Sequence, residues 1–425
     1  MSSQSNAHDS LRVELAHALG FPEYPDDVTA DPYLNYITNR FVGRGTLEGH
    51  IKLFISIIQY FEGSNTDTVI PPATRSIQGF LDTLCRSNDD PQFSDTEPGS
   101  QARRDDVEDT VMYAIGTWTM LLSSFVHVPA SAGLRIVTVA FTLRAPNKGV
   151  GYHPYQETLS DLIKASGLLP IPRSDALLGN TMFVDMKMQL AKQAFPLLSG
   201  RLSLDEALYG HSSSRFFDNL NSLESLSIDA TRLNAYTLKV FGAVDIEWTH
   251  NLSRHLLLSK RNGRHVFEVF ALPCALEAYS LNMRSVGITS EFAQEVRESY
   301  CLLLNAWSIT PLHAKFGTWI GVHSLCWCWS CSAQRHRKRL LSAYTKFSER
   351  KLPRNARVQG KQCSEYDPLL IELTKNETSD WTPHLFPSLW PRIMALEEHL
   401  QGAKPWSIWV LFQDRRDTLQ FWTFL

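Results

Sequence analysis

The chain has 425 residues, 44% of them hydrophobic and 20% charged, with a net charge of -3 at pH 7. It is long enough to bury a large core divided into two or three units, and its charge balance gives no global drive toward nucleic acid. Seven cysteines, an odd number with three of them inside Cys326–Cys331, do not form a disulfide framework. The N-terminus is polar and carries no apolar run of secretory length. Together these features predict a protein of a reducing, cytoplasmic compartment that is not secreted, in which the sequons at Asn251 and Asn376 stay unmodified.

Residues 1–86 read as an N-terminal helical region. In Asp31-Pro32-Tyr33-Leu34, Asp31 is expected to accept the first free N–H groups while Pro32 sits where no donor is needed. Apolar residues from Leu47 to Phe61 recur at helical spacing, and Ile77, Phe80, Leu81 and Leu84 repeat the pattern. Residues 87–105 lack apolar periodicity and are rich in Ser, Asp, Pro and Gly, which predicts a linker or exposed loop. The main body then covers 106–402 and an aromatic, basic tail covers 403–425.

Thr110 to Leu134 contains no Asp, Glu, Lys or Arg, a length at which a membrane span comes into question. Several hydroxyl residues, His127 and Pro129 favour a buried helix instead, running to about Val126, with Asp105, Asp106, Glu108 and Asp109 at its positive end. Leu134–Arg144 is β-branched enough for a strand. Short helices are expected over 157–167 and 180–195, with a capping box at Ser203–Glu206. Further helices are expected from Ser290 and from Trp390 to Gly402.

The clearest local signal lies in Leu233–Leu276. Asn262-Gly263 is a favoured two-residue hairpin turn, since both positions need a positive φ. That turn places Leu258 opposite Phe267 and Leu256 opposite Val269 on one face, which is expected to pack inward. Ser259 opposite Val266 and Leu257 opposite Glu268 form a more mixed face. The predicted fold class is mainly α with a small β element around this hairpin, with α+β as the alternative.

Three stretches carry residues with possible chemistry. Asp245, Glu247, His250 and His255 lie close in sequence, and an extended Val244–Trp248 would put both carboxylates on one face for acid–base work or a metal; polar residues leading into a hairpin also serve simply to cap and solvate it. Cys326, Cys328 and Cys331 with His323 supply zinc-type ligands, although the second cysteine pair of a structural zinc site is missing. The same stretch interleaves Trp327 and Trp329 with the cysteines before Arg335-His336-Arg337-Lys338-Arg339, a pattern that suits a membrane interface or a solvated helix face. In the tail, Trp406, Trp409 and Phe412 precede Arg415 and Arg416, and Phe421, Trp422 and Phe424 follow. Basic residues beside aromatic ones suit the edge of a membrane, yet eight residues cannot cross one, so the tail is expected to dock on the fold, a membrane surface or a protein partner. No nucleotide-binding, nucleophile-elbow or metalloprotease motif occurs, and no cofactor is expected.

Leu233–Leu276, the CWCWSC stretch with its basic continuation, and WSIWVLFQDRRDTLQFWTFL together resemble a family of uncharacterised proteins of filamentous fungi. The likeness covers most of the chain after Asp105. In that family the counterpart of FWTFL continues into a hydrophobic C-terminal segment, whereas this sequence ends at Leu425. The resemblance implies a cytoplasmic body anchored at a membrane and supplies no activity or catalytic residue. The leading expectation is a non-enzymatic interaction module. The alternatives are an enzyme or accessory protein of fungal secondary metabolism, and a zinc-stabilised module.

Overall fold

A strand buried on both faces needs cover on both faces, and here that requirement organises the helices. The computed structural model describes residues 2–40, 46–63, 75–86, 101–121, 157–166, 168–170, 227–282, 285–304, 329–350, 367–375 and 380–403. The expected strand at 134–144, the helix at 180–195 and the capping box at 203–206 lie outside them. Among the described residues the fold is mainly helical with one three-stranded mixed sheet. Its strands are Val244–Thr249 (β1), Leu257–Arg261 (β2) and Arg264–Phe270 (β3), in the order β1-β3-β2.

The hairpin has the expected register, with Leu257, Leu258 and Ser259 facing Glu268, Phe267 and Val266. Asn262 and Gly263 have φ of 51° and 77°, the left-handed pair that matches the twist of the two strands. Sequence alone did not show that β1 pairs with β3 in parallel, from Val244 opposite His265 to Thr249 opposite Phe270. β3 is therefore central, and its residues from Val266 to Phe270 are all buried. One expectation is corrected. The mixed face is as buried as the apolar one: Leu257, Ser259, Val266 and Glu268 are buried, whereas Leu258 is half-buried. The helix Trp390–Gly402 packs against β2, which helps to explain why the hairpin has no solvated side.

Helices Ser2–Leu19 (α1), Asp31–Thr38 (α2), Leu47–Glu62 (α3), Ile77–Arg86 (α4) and Gln101–Trp118 (α5) precede the sheet. α3 buries Ile51, Phe54, Ile55, Ile58 and Phe61, the predicted stripe, with Thr46 capping the Gly49 N–H. Asp31 does not cap α2. A 3-10 turn over Val28–Ala30 runs directly into the helix, so the Asp31 carboxylate is left to accept from Arg12, at 2.7 Å, and from Tyr24. α5 begins at Gln101, so residues 101–105 are helical rather than part of a linker, and Asp105 to Asp109 fall beyond its first turn. It also stops earlier than expected. Met120 turns left-handed at φ 57°, and its carbonyl accepts the Leu252 N–H, tying the helix end to the turn after β1.

After a short helix at Leu159–Ser166 (α6), the body contains Ala235–Val240 (α7), Ser290–Leu304 (α8), Trp329–Arg350 (α9), Pro368–Leu373 (α10) and Trp390–Gly402 (α11). The predicted faces of α8 (Phe292, Val296, Tyr300, Leu303) and α11 (Ile393, Leu396, Leu400) are buried. The Glu295 carboxylate of α8 accepts the Ser388 and Leu389 N–H groups at the start of α11, supplying a cap that α11 does not supply itself. Buried apolar residues of both halves, among them Leu15, Tyr33, Phe54, Phe267, Tyr300 and Trp390, form one continuous cluster.

Gly263 is needed for its backbone and not for space, since an added Cβ would meet no atom within 4 Å. Replacing it with Ala is expected to lower stability in urea unfolding by about 1 kcal/mol, whereas Gly402→Ala, also open but without a positive φ, leaves it within about 0.5 kcal/mol.

Candidate functional site

The polar residues around the hairpin are placed by one turn. The Asn251 side chain accepts the Ser253 N–H at 2.9 Å and so sets the 3-10 turn Leu252–Arg254. That turn carries Arg254 under β3, where Nε and Nη2 donate to Glu268 Oε2 and Oε1 at 2.6 and 2.5 Å. Arg261 donates to the same carboxylate from the hairpin. From α11, Arg392, 2% exposed, donates to the carbonyl oxygens of Ser253, at 2.8 Å, and His255. Burial first, and the Arg254 charge second, lower the Arg392 pKa to about 9, with Glu268 opposing.

His255 is fully buried. Its Nδ1 accepts the Phe270 N–H at 3.2 Å, so Nε2 carries the proton and meets Ser299 Oγ at 2.8 Å. Ser299 in turn donates to the Val296 carbonyl. Burial and then the Arg392 charge hold the ring neutral, well below the ordinary histidine range. A general base needs a free lone pair, and the one on Nδ1 is occupied by a backbone N–H. Both Glu268 oxygens are likewise occupied by guanidinium groups. This junction fastens the turn, the sheet, α8 and α11 together.

The four residues singled out in sequence do not meet. Asp245 pairs with Lys239 and Glu247 with Arg261, both near the surface. His250 is buried, with Nδ1 3.3 Å from Arg40 Nη2 and its ring against Tyr36 and Phe347. His255 faces α8. Of the candidate metal ligands, Cys331 is buried in α9, while Cys326, Cys328 and His323 lie outside the described residues. Among the described residues no group of three His, Cys, Asp or Glu could hold a metal ion. Trp406, Trp409, Phe412, Arg415, Arg416, Phe421, Trp422 and Phe424 also lie outside them. No helix among the described residues is long and apolar enough to cross a membrane.

A second buried junction escaped the sequence reading. Asp367 Oδ2 accepts the Cys274 N–H at 2.6 Å, and Oδ1 caps α10 through the Leu369 N–H. The Asp367 N–H donates to Tyr344 Oη, which donates to the Ala271 carbonyl, each at 2.8 Å. Burial pushes the carboxyl up to about 6 against the pull of those N–H groups. Burial, with Asp367 beside it, also raises the Cys274 thiol pKa, which keeps it protonated and a poor nucleophile. A shallow groove between α7, α8 and α9 is lined by Asn234, Tyr236, Leu303, Leu304, His336 and Leu340. Burial, with Lys239 and Arg339 nearby, lowers the His336 pKa to about 4. Compared with protein families, curated proteins and solved structures, the chain matches none.

Removing one partner of the buried pair strands the other, so Glu268→Ala is expected to cost about 3–5 kcal/mol in urea unfolding. The double change Arg254→Met with Glu268→Leu is expected to cost less than Glu268→Ala alone, because the buried Arg254 charge leaves with its partner and the partly exposed Arg261 keeps Glu247.

The pH dependence has two opposed parts. His50, His265 and His336 titrate at about 4 and burial holds His255 well below the ordinary histidine range, so below about 6.5 the unfolded chain binds protons that the folded one does not, and stability falls with acid. Asp367 acts the other way. Its contribution is present below the unfolded carboxylate pKa and is lost as pH rises through about 6. Thermal unfolding is expected to show a lower midpoint at pH 5 than at pH 7, and Asp367→Asn, which removes the counterweight, is expected to steepen that drop.

Proposed function

We propose that the chain is a non-enzymatic module that works at a membrane surface, with the folded body carrying the tail Trp406–Leu425 as its contact. The observation that carries this reading is the make-up of the tail: indoles and phenyl rings on either side of Arg415-Arg416. Indoles favour the headgroup level of a bilayer and guanidinium groups favour its anionic lipids. The geometry of the body supports the same reading. Three buried groups of acid or base type among the described residues, Glu268, His255 and Asp367, are engaged by backbone groups or guanidinium groups that fasten one element to another. Expected properties are a cytoplasmic location and reversible attachment, since a short interfacial segment holds far less firmly than a span.

Liposome co-sedimentation of the full chain against a version ending at Gly402 tests the proposal. The full chain is expected to bind, more weakly at high salt, and the shortened chain to lose that binding. Equal binding by the two forms, or none by either, contradicts the proposal and returns the tail to the protein's own core.

A further inference from the structure

We propose that the exposed face of α9 is a second contact, one that reads anionic lipid headgroups; it rests on the membrane-surface reading above. At 3.6 residues per turn, Arg335, Lys338, Arg339, Ser342 and Lys346 fall within an arc of roughly 100°. Lys338, Arg339, Ser342 and Lys346 are exposed and Arg335 is half-buried. The opposite arc holds the helix to the body. Ala333, Leu340 and Tyr344 are buried there. The Leu340 carbonyl accepts the Trp248 indole N–H at 3.2 Å, and Arg337 reaches back to the Thr374 carbonyl and hydroxyl. This rotation fixes the basic face outward.

Arg335 on this face donates to Ser332 Oγ at 3.0 Å, and the exposed cations beside it are not tied to a carboxylate among the described residues. Arg12, Lys52, Arg232, Lys239, Arg261 and Arg297 each pair with a carboxylate. Among the described residues, Lys338, Arg339 and Lys346 have no hydrogen-bond or ion-pair partner. On a chain of net charge -3, three such cations on one helix face form a local positive surface against an overall negative background. Charge complementarity therefore points to a polyanion. Lipid is favoured over nucleic acid because the sequence before α9 carries Trp319 and Trp327 and the helix itself begins with Trp329, residue types suited to the interface. A basic patch added to an interfacial segment also meets the need for two signals in stable surface attachment.

The test uses the full chain with vesicles of phosphatidylcholine alone and of phosphatidylcholine with phosphatidylserine. The variant Lys338→Gln, Arg339→Gln, Lys346→Gln changes only exposed helix positions and keeps good helix formers. At roughly fivefold per cation near an anionic surface, it is expected to lower partitioning onto the phosphatidylserine vesicles about 100-fold and to leave partitioning onto phosphatidylcholine unchanged. A control, Lys260→Gln with Arg264→Gln at the exposed hairpin tip, is expected to change it by less than about threefold. If the triple variant binds as the parent does, or if the hairpin control weakens binding as much, the face is not the contact and the proposal falls. If the triple variant lowers affinity for duplex DNA and not for phosphatidylserine, the lipid assignment falls. The chain ending at Gly402 reports on the tail independently, so a tail-dependent signal that is indifferent to the triple variant overturns the α9 proposal alone.

Discussion

A carboxylate in the middle of a buried central strand is the constraint on which the rest of this structure depends. Glu268 is 3% exposed and sits between two paired strands, where an unpaired charge would cost several kcal/mol. Arg254 answers it with two hydrogen bonds, but only if the chain after β1 turns back under the sheet. That turn leaves the Ser253 and His255 carbonyls without strand partners, and Arg392 takes both. Arg392 is a charge in its turn, which fixes where α11 lies. Each requirement generates the next element. By the same reasoning the junction adds little net stability over a well-packed apolar one; its effect is to admit one arrangement of turn, strand and helix.

How much of this could be read beforehand depended on how local the cause was. Asn262-Gly263 gave the hairpin and its register because two adjacent residues determine the turn. The stripes of α3, α8 and α11 followed from spacing along one helix. The parallel pairing of β1 with β3 could not, since it joins strands through a crossover with no turn signature. The α2 start was misread for a related reason: a preceding 3-10 turn removed the need for Asp31 as a cap, and the carboxylate went to Arg12 on another helix.

The candidate site was misread more deeply, and its signals were nonetheless present. Asp245, Glu247, His250 and His255 attracted notice as neighbours in sequence, yet each is paired with a different element. The informative oddities were single charges inside apolar patterns. Glu268 is the one carboxylate in Val266–Phe270, and Arg392 shares the i, i+4, i+8 row of Leu396 and Leu400. Asp367 before Pro368 and an apolar run is an N-cap pattern. A charge inside a core stripe predicts a buried partner, although the partner's identity requires the fold.

The proposed account separates a body tightened by buried polar junctions from outward groups that meet a charged surface. Two modest contacts on one chain act together, since binding through one raises the local concentration of the other. Hydrogen exchange of the full chain with and without phosphatidylserine vesicles tests this division most directly. The account predicts slowed exchange within residues 404–425 on adding vesicles, with the amides of β1, β2 and β3 unchanged. Slowing in the strands, with the tail unaffected, would contradict it.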